Sequence, residues 1–146
     1  MPTNPNILQG ALNRLRASVS FANNPALNIT PAYLGRAGLR LSFSGNSTVL
    51  IDTMTGVVQS PEPFLQFLLE CHLLKSQAFG NLWKIQQETN TLLGPFTVRP
   101  DSRVLSPYQL DSGAILGTDG LDFSGASAEF IVRIGGSYAV NSQLWP

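Results

Sequence analysis

The sequence has few of the residues from which active sites are most often built. It contains a single histidine, His72, and a single cysteine, Cys71. One histidine excludes a multi-histidine metal site, and one cysteine excludes a disulfide within the chain. Because neighbouring residues on a strand point to opposite faces, Cys71 and His72 are not expected to form a nucleophile–base pair. We therefore expect that the protein is not an enzyme.

Motifs that hold nucleotides, metals or cofactors are missing as well. The sequence has no Walker-type phosphate loop, no dinucleotide-binding glycine pattern and no nucleophile elbow. Asp119 and Asp122 lie among glycines, but their spacing does not match a calcium-binding EF-hand, and ordinary turn chemistry explains the Asp-Gly pair. We expect neither a metal site nor a cofactor.

Charge is scarce. Charged residues make up 12% of the chain and the formal net charge is zero, whereas a soluble domain usually has roughly 25% charged residues. A neutral chain offers no bulk electrostatic attraction for nucleic acid or for a membrane. A surface with so few charges is often covered by other protein, so the composition favours an assembly.

The few charges are distributed unevenly along the chain. Up to Ile51 the charged residues are four arginines, and from Asp101 onward five acidic residues stand against two arginines. A basic first part and an acidic last part would suit head-to-tail contact between copies.

Length and hydropathy indicate a single soluble domain. The 146 residues with 43% hydrophobic content can form one core, so we predict one domain over residues 1–146. No apolar run approaches the length of a membrane span, and the start does not resemble a signal peptide, so no membrane partner is expected. Residues 1–13 are polar and contain proline, which predicts a flexible or partner-docked arm.

The middle of the chain changes its hydrophobic period. Alternate residues before Leu74 are apolar, which predicts a strand with one buried face; they are Leu65, Phe67, Leu69, Cys71 and Leu73. The opposite face carries Gln66, Glu70 and His72.

After Leu74 the spacing becomes helical, which predicts one inserted α-helix over about residues 75–91. Its predicted apolar stripe consists of Leu74, Ala78, Leu82 and Ile85, with Phe79 and Trp83 on a neighbouring row. Ser76 is the predicted N-cap, and Gly94-Pro95 the stop. Such a helix must pack against the sheets or against a neighbouring subunit.

The rest of the chain is typical of short strands and turns. A first strand is predicted over residues 15–21, a turn-rich loop over 23–38, and a hairpin that pairs residues 39–43 with 48–58. Later strands are predicted over residues 96–99, 104–116, 121–123 and 128–134, with a bend at Gly135-Gly136 before 137–140. Seven to nine strands with one helix predict a mainly β fold, either a two-sheet β-sandwich or a partial barrel.

Four segments together carry a resemblance to a known family. They are GVVQSPEPF, LLKSQAFGNLWKIQQE, VRPDSRVLSPYQLDSGAI and IGGSYAVNSQLW. In this order they resemble the tail tube proteins of tailed bacteriophages, especially those with contractile tails, whose fold also occurs in type VI secretion and pyocin tubes. The resemblance spans Arg14 to Trp145.

The resemblance implies a structural role in a virion. Six copies would form a ring, oligomerisation would complete the barrel, and rings would stack head to tail. The lumen would hold the tape measure protein and conduct double-stranded DNA during ejection, with sheath and baseplate proteins as further partners. Assembly would take place in the host cytoplasm. Two alternatives stay open: a baseplate or tail-end ring protein of the same fold, and a standalone β-sandwich module that binds a glycan or peptide.

Surface polar residues and the helix supply the candidates for the subunit interface or the lumen wall. Those predicted are Arg14, Arg16, Gln66, Glu70, His72, Lys75, Gln77, Trp83 and Lys84.

Overall fold

The computed structural model describes residues 16–101 and 104–144, so the predicted arm over residues 1–13 lies outside the described part. The described residues form a mainly β fold with one α-helix, as predicted. The elements are β1 (Ala17–Phe21), β2 (Leu34–Ser44), β3 (Thr48–Asp52), β4 (Val57–Pro61), β5 (Phe64–Leu74), α1 (Phe79–Thr89), β6 (Leu92–Pro100), β7 (Tyr108–Asp119) and β8 (Glu129–Ala139). Two short 3-10 helices, Pro25–Leu27 and Pro31–Tyr33, lie between β1 and β2.

Six of the strands form one curled antiparallel sheet in the order β1-β6-β7-β8-β5-β2. The curl brings strands together that are not neighbours in this order. The ring centroids of Phe67 on β5 and Phe96 on β6 are 5.6 Å apart, and those of Phe43 on β2 and Tyr108 on β7 are 6.1 Å apart. Of the two architectures predicted, the structure therefore has the partial barrel, here a half-barrel.

The core fills the concave side of the half-barrel. On β5 the alternate residues Phe67, Leu69, Cys71 and Leu73 are buried, which confirms the predicted period of two. Burial raises the pKa of the Cys71 thiol well above its ordinary value. A buried thiol with a raised pKa is a poor nucleophile, so Cys71 acts as a packing residue.

The helix starts later than predicted and uses a different face. It begins at Phe79, with Ala78 at the N-cap position and no side-chain cap, so the prediction of Ser76 as N-cap was wrong. Phe79 and Trp83 are buried, whereas Leu82 and Ile85 of the predicted stripe are 43% and 55% exposed. The helix turns Phe79 and Trp83 toward the core because aromatic rings bury more apolar area than the leucine and isoleucine side chains.

The hairpin predicted between residues 39–43 and 48–58 does not form. β2 pairs with β5, while β3 pairs with β4 in a separate two-stranded sheet. The pairing with β5 places Leu39 and Leu41 opposite Cys71 and Leu69, on the face that covers the core. β2 also begins at Leu34, inside the predicted loop, and its register with β5 shifts before Leu39.

β6 and β8 are longer than predicted, β7 lies over residues 108–119 where 104–116 was predicted, and residues 121–123 form no strand. β8 runs without a break through Gly135 and Gly136, which were predicted as a bend. A Cβ at Gly136 would lie 2.6 Å from the Ser112 carbonyl oxygen, and one at Gly135 would lie 2.8 Å from a Leu116 methyl. These glycines are therefore required by the close approach of β7.

Candidate subunit interfaces

An open cleft lies between β1 and β2, the two edge strands of the half-barrel. Its volume is about 720 Å³. Side chains from four strands supply most of its apolar wall; they include Ala17, Leu39, Leu41, Val98 and Tyr108. Among the described residues, the sheet is thus left unclosed at a surface that is partly apolar.

Among the described residues, the charged side chains that line this cleft are two arginines, Arg16 and Arg36. Both residues are exposed. Within residues 16–101 and 104–144, neither one forms an ion pair with a carboxylate. The cleft is therefore positively charged as well as apolar, and it favours an apolar occupant that carries negative charge.

Glu129, the first residue of β8, contacts β2 at the backbone of Arg36. Its Oε1 accepts a hydrogen bond from the Arg36 backbone N–H at 2.8 Å, and its Oε2 lies 3.5 Å from His72 Nδ1. The carboxylate thus contacts β2 where the ladder to β5 is interrupted between Leu34 and Leu39. Gly35 leaves the room that the Glu129 side chain needs, because a Cβ there would lie 2.3 Å from it.

The β3–β4 hairpin, residues 48–61, carries a cluster of exposed apolar side chains. Its large apolar side chains are 39% to 101% exposed; they are Val49, Leu50, Ile51, Met54, Val57 and Val58. Ile51 pairs with Val58 on one face, and Leu50 and Val57 occupy the other, so both faces are apolar. A two-stranded hairpin is marginal in water by itself, and exposed apolar patches mark interaction sites.

The base of this hairpin is fixed to the main sheet, and its strands are not. Asn141, just after β8, donates from Nδ2 to the carbonyl oxygens of Ser47 and Glu62 at 3.0 and 2.8 Å. The Glu62 N–H donates to Ser47 O at 2.9 Å. Asp52 is the only charged residue between positions 45 and 61. The hairpin is therefore an anchored apolar projection with one negative charge.

Gln66, Glu70 and His72 lie on the face of the half-barrel opposite to the core, which we call the outer face. They alternate with the buried residues of β5, so the predicted common face is confirmed. Glu70 is directly opposite Arg40 on β2 and Arg133 on β8, which gives a row of alternating charge across three strands. Cross-strand pairs of opposite charge contribute about 0.2–1 kcal/mol each. The role of these residues as wall or interface stays a prediction.

The candidates near the helix are split between the surface and the core. Lys75, Gln77 and Lys84 line a second cavity of about 620 Å³, next to the β7–β8 connection. There Lys75 Nζ donates to the carbonyl oxygen of Asp122. Trp83, in contrast, is 1% exposed and packs in the core. It was predicted as an interface or lumen-wall residue, but its side chain does not lie at a surface of the chain. Arg16 lies at the cleft, and Arg14 is outside the described residues.

Sequence reasoning missed Arg36 and the hairpin as candidates. The only local signal for the hairpin was its run of β-branched residues with little polar alternation, which was interpreted as an ordinary strand. In the part of the chain that the structure describes, no three His, Cys, Asp or Glu side chains come together as a metal site would require. No helix there has the length and apolarity needed to cross a membrane.

Comparisons with known proteins found a likeness in structure. The chain is similar in structure to a chain of the anti-feeding prophage (AFP) baseplate, determined by cryo-EM and symmetrised six-fold. The TM-score is 0.47 and the identity 11%, over 92% of this chain and 95% of that chain. No family model matches, and no curated protein matches. The function must therefore be inferred from the chain's own residues.

Proposed function

We propose that this protein is a structural subunit of a phage-type contractile tail, in which copies assemble into rings that form the tail tube. The observation that carries the proposal is the unclosed half-barrel, with β1 and β2 as edges on either side of an open apolar cleft. Closure by neighbouring copies would complete the barrel and remove the edges, which otherwise invite unspecific pairing.

The length of β2 strengthens this argument. It has 11 residues and pairs on one side only, with β5. In an antiparallel ladder about half of the backbone N–H and C=O groups of such a strand point away from its partner. Together with the exposed apolar hairpin, this edge forms a surface of the kind that marks an interaction site. The sequence resemblance to tail tube proteins supplies the identity of the assembly.

The proposed role has consequences for partners and place. Rings of six copies would stack head to tail around a lumen that holds the tape measure and passes double-stranded DNA without sequence-specific binding. Zero net charge suits such a lumen, because a basic wall would retain the phosphate backbone. Sheath and baseplate proteins would be the outer partners. The protein would assemble in the host cytoplasm and reside in the virion.

A structural role fits the positions of Cys71 and His72, the two residue types most often used as nucleophile and base. Cys71 is buried in the core, and His72 faces Glu129 on the outer face, so they do not form a catalytic pair. We propose that the protein has no enzymatic activity.

Sedimentation velocity of the purified full chain, over a range of concentrations, tests the proposal. We expect the 15.8 kDa monomer to give way to species of discrete, higher mass as concentration rises. A series that grows without limit indicates a tube body, and one closed oligomer indicates a baseplate or tail-end ring. A monomer at every concentration would contradict the proposal and favour a standalone binding module.

A further inference from the structure

The cleft and the hairpin lie toward opposite ends of β2. The cleft is lined by residues of β2 between Leu34 and Leu41, including Arg36, and the hairpin follows the last residue, Ser44. No residue of the hairpin lines the cleft of its own chain.

The two surfaces are complementary in chemistry. The hairpin is apolar on both faces and carries one negative charge, Asp52, at the end of β3 nearest the turn. The cleft has an apolar wall and two positive charges, Arg16 and Arg36, without carboxylate partners among the described residues. A strand pair is also the kind of element that fits between two sheet edges.

From this juxtaposition we infer that the β3–β4 hairpin of one copy docks in the cleft between β1 and β2 of a second copy, with Asp52 next to Arg36. The inference rests on the self-assembly proposed above and names the two surfaces that meet. Hairpin and cleft are different patches, so the contact is heterologous. Repetition of a heterologous contact gives a closed ring or an open filament.

Charge reversal tests the docking. Asp52→Arg would place a third positive charge in the cleft, and Arg16→Asp with Arg36→Asp would place negative charges against Asp52. Since like charges across an interface cost several kcal/mol, each change is expected to raise the concentration needed for assembly roughly tenfold or more. The triple variant that combines both changes is expected to recover most of the wild-type assembly, as measured by sedimentation velocity.

Glu88→Arg is the matched control, because Glu88 is an exposed acidic residue on α1, away from both surfaces. It is expected to assemble like the wild type. Far-ultraviolet circular dichroism of every variant checks that the fold is kept, which is expected since all the substituted residues are exposed.

Disulfide trapping gives an independent measurement. Chains with Asp52→Cys, mixed with chains with Arg36→Cys and oxidised, are expected to form a cross-linked dimer that neither variant forms alone. Cys71 is 0% exposed and does not compete. If the wild type assembles but the charge reversals leave assembly unchanged, or if Asp52→Cys chains cross-link only to each other, the inference is overturned and the proposed function stands. A monomeric wild type would overturn both.

Discussion

Trp83→Ala is expected to destabilise the protein by about 3–5 kcal/mol, the range for removal of a large aromatic side chain from a core. Trp83 is 1% exposed, and its ring makes edge contacts with Phe21 and Phe79 at centroid distances of 5.4 and 6.4 Å. It joins α1 to β1, so its loss leaves a cavity between the helix and the sheet. Because the free energy of unfolding of a domain is about 5–15 kcal/mol in total, this change removes a large part of the stability.

Urea unfolding monitored by circular dichroism measures this effect. Leu82→Ala is the matched control, because Leu82 is the preceding residue of α1 and is 43% exposed; it is expected to cost clearly less than Trp83→Ala. Trp83→Phe is expected to cost less than the alanine change, since it keeps part of the ring volume. Similar midpoints for Trp83→Ala and Leu82→Ala would contradict the observed packing of the helix.

Gly136→Ala is expected to cost about 1–3 kcal/mol, as overpacking does. The new Cβ would lie 2.6 Å from the Ser112 carbonyl oxygen, 2.9 Å from that of Asp111 and 3.0 Å from the Phe67 ring. Two of these atoms belong to the backbone of β7, so they cannot move aside without disturbing the β7–β8 ladder. The strain therefore falls on the centre of the half-barrel.

Thermal unfolding compares this variant with Gly56→Ala. A Cβ at Gly56 would meet nothing within 4 Å, so that change is expected to stay within about 0.5 kcal/mol of the wild type. We expect a clearly lower melting temperature for Gly136→Ala alone. Equal melting temperatures would show that β7 does not approach β8 as closely as described.

The sequence predicts the half-barrel best where one face of a strand is buried. The alternation along β5 identifies the buried residues of that strand because its period is a local property. The helix was predicted correctly, but the prediction had the wrong face of the helix packed against the core. Leu82 and Ile85 form as regular a row as Phe79 and Trp83, and only the aromatic partners Phe21 and Tyr33, distant in sequence, decide between them.

Strand pairing was less predictable, since a turn signal does not identify the partner of a strand. The break predicted between residues 43 and 48 is present after β2, yet β2 pairs with β5, about twenty residues further on. The candidate interfaces depend on this pairing. Arg16 and Arg36 line the same cleft only because the sheet curls and leaves β1 and β2 as its edges, which no local pattern indicates.

The central claim is that the chain assembles with itself into rings, and negative-stain electron microscopy of the purified full chain tests it most directly. Over a rising series of concentrations, we expect uniform rings or open tubes of constant diameter. Dispersed particles of monomer size at the highest concentration would contradict it.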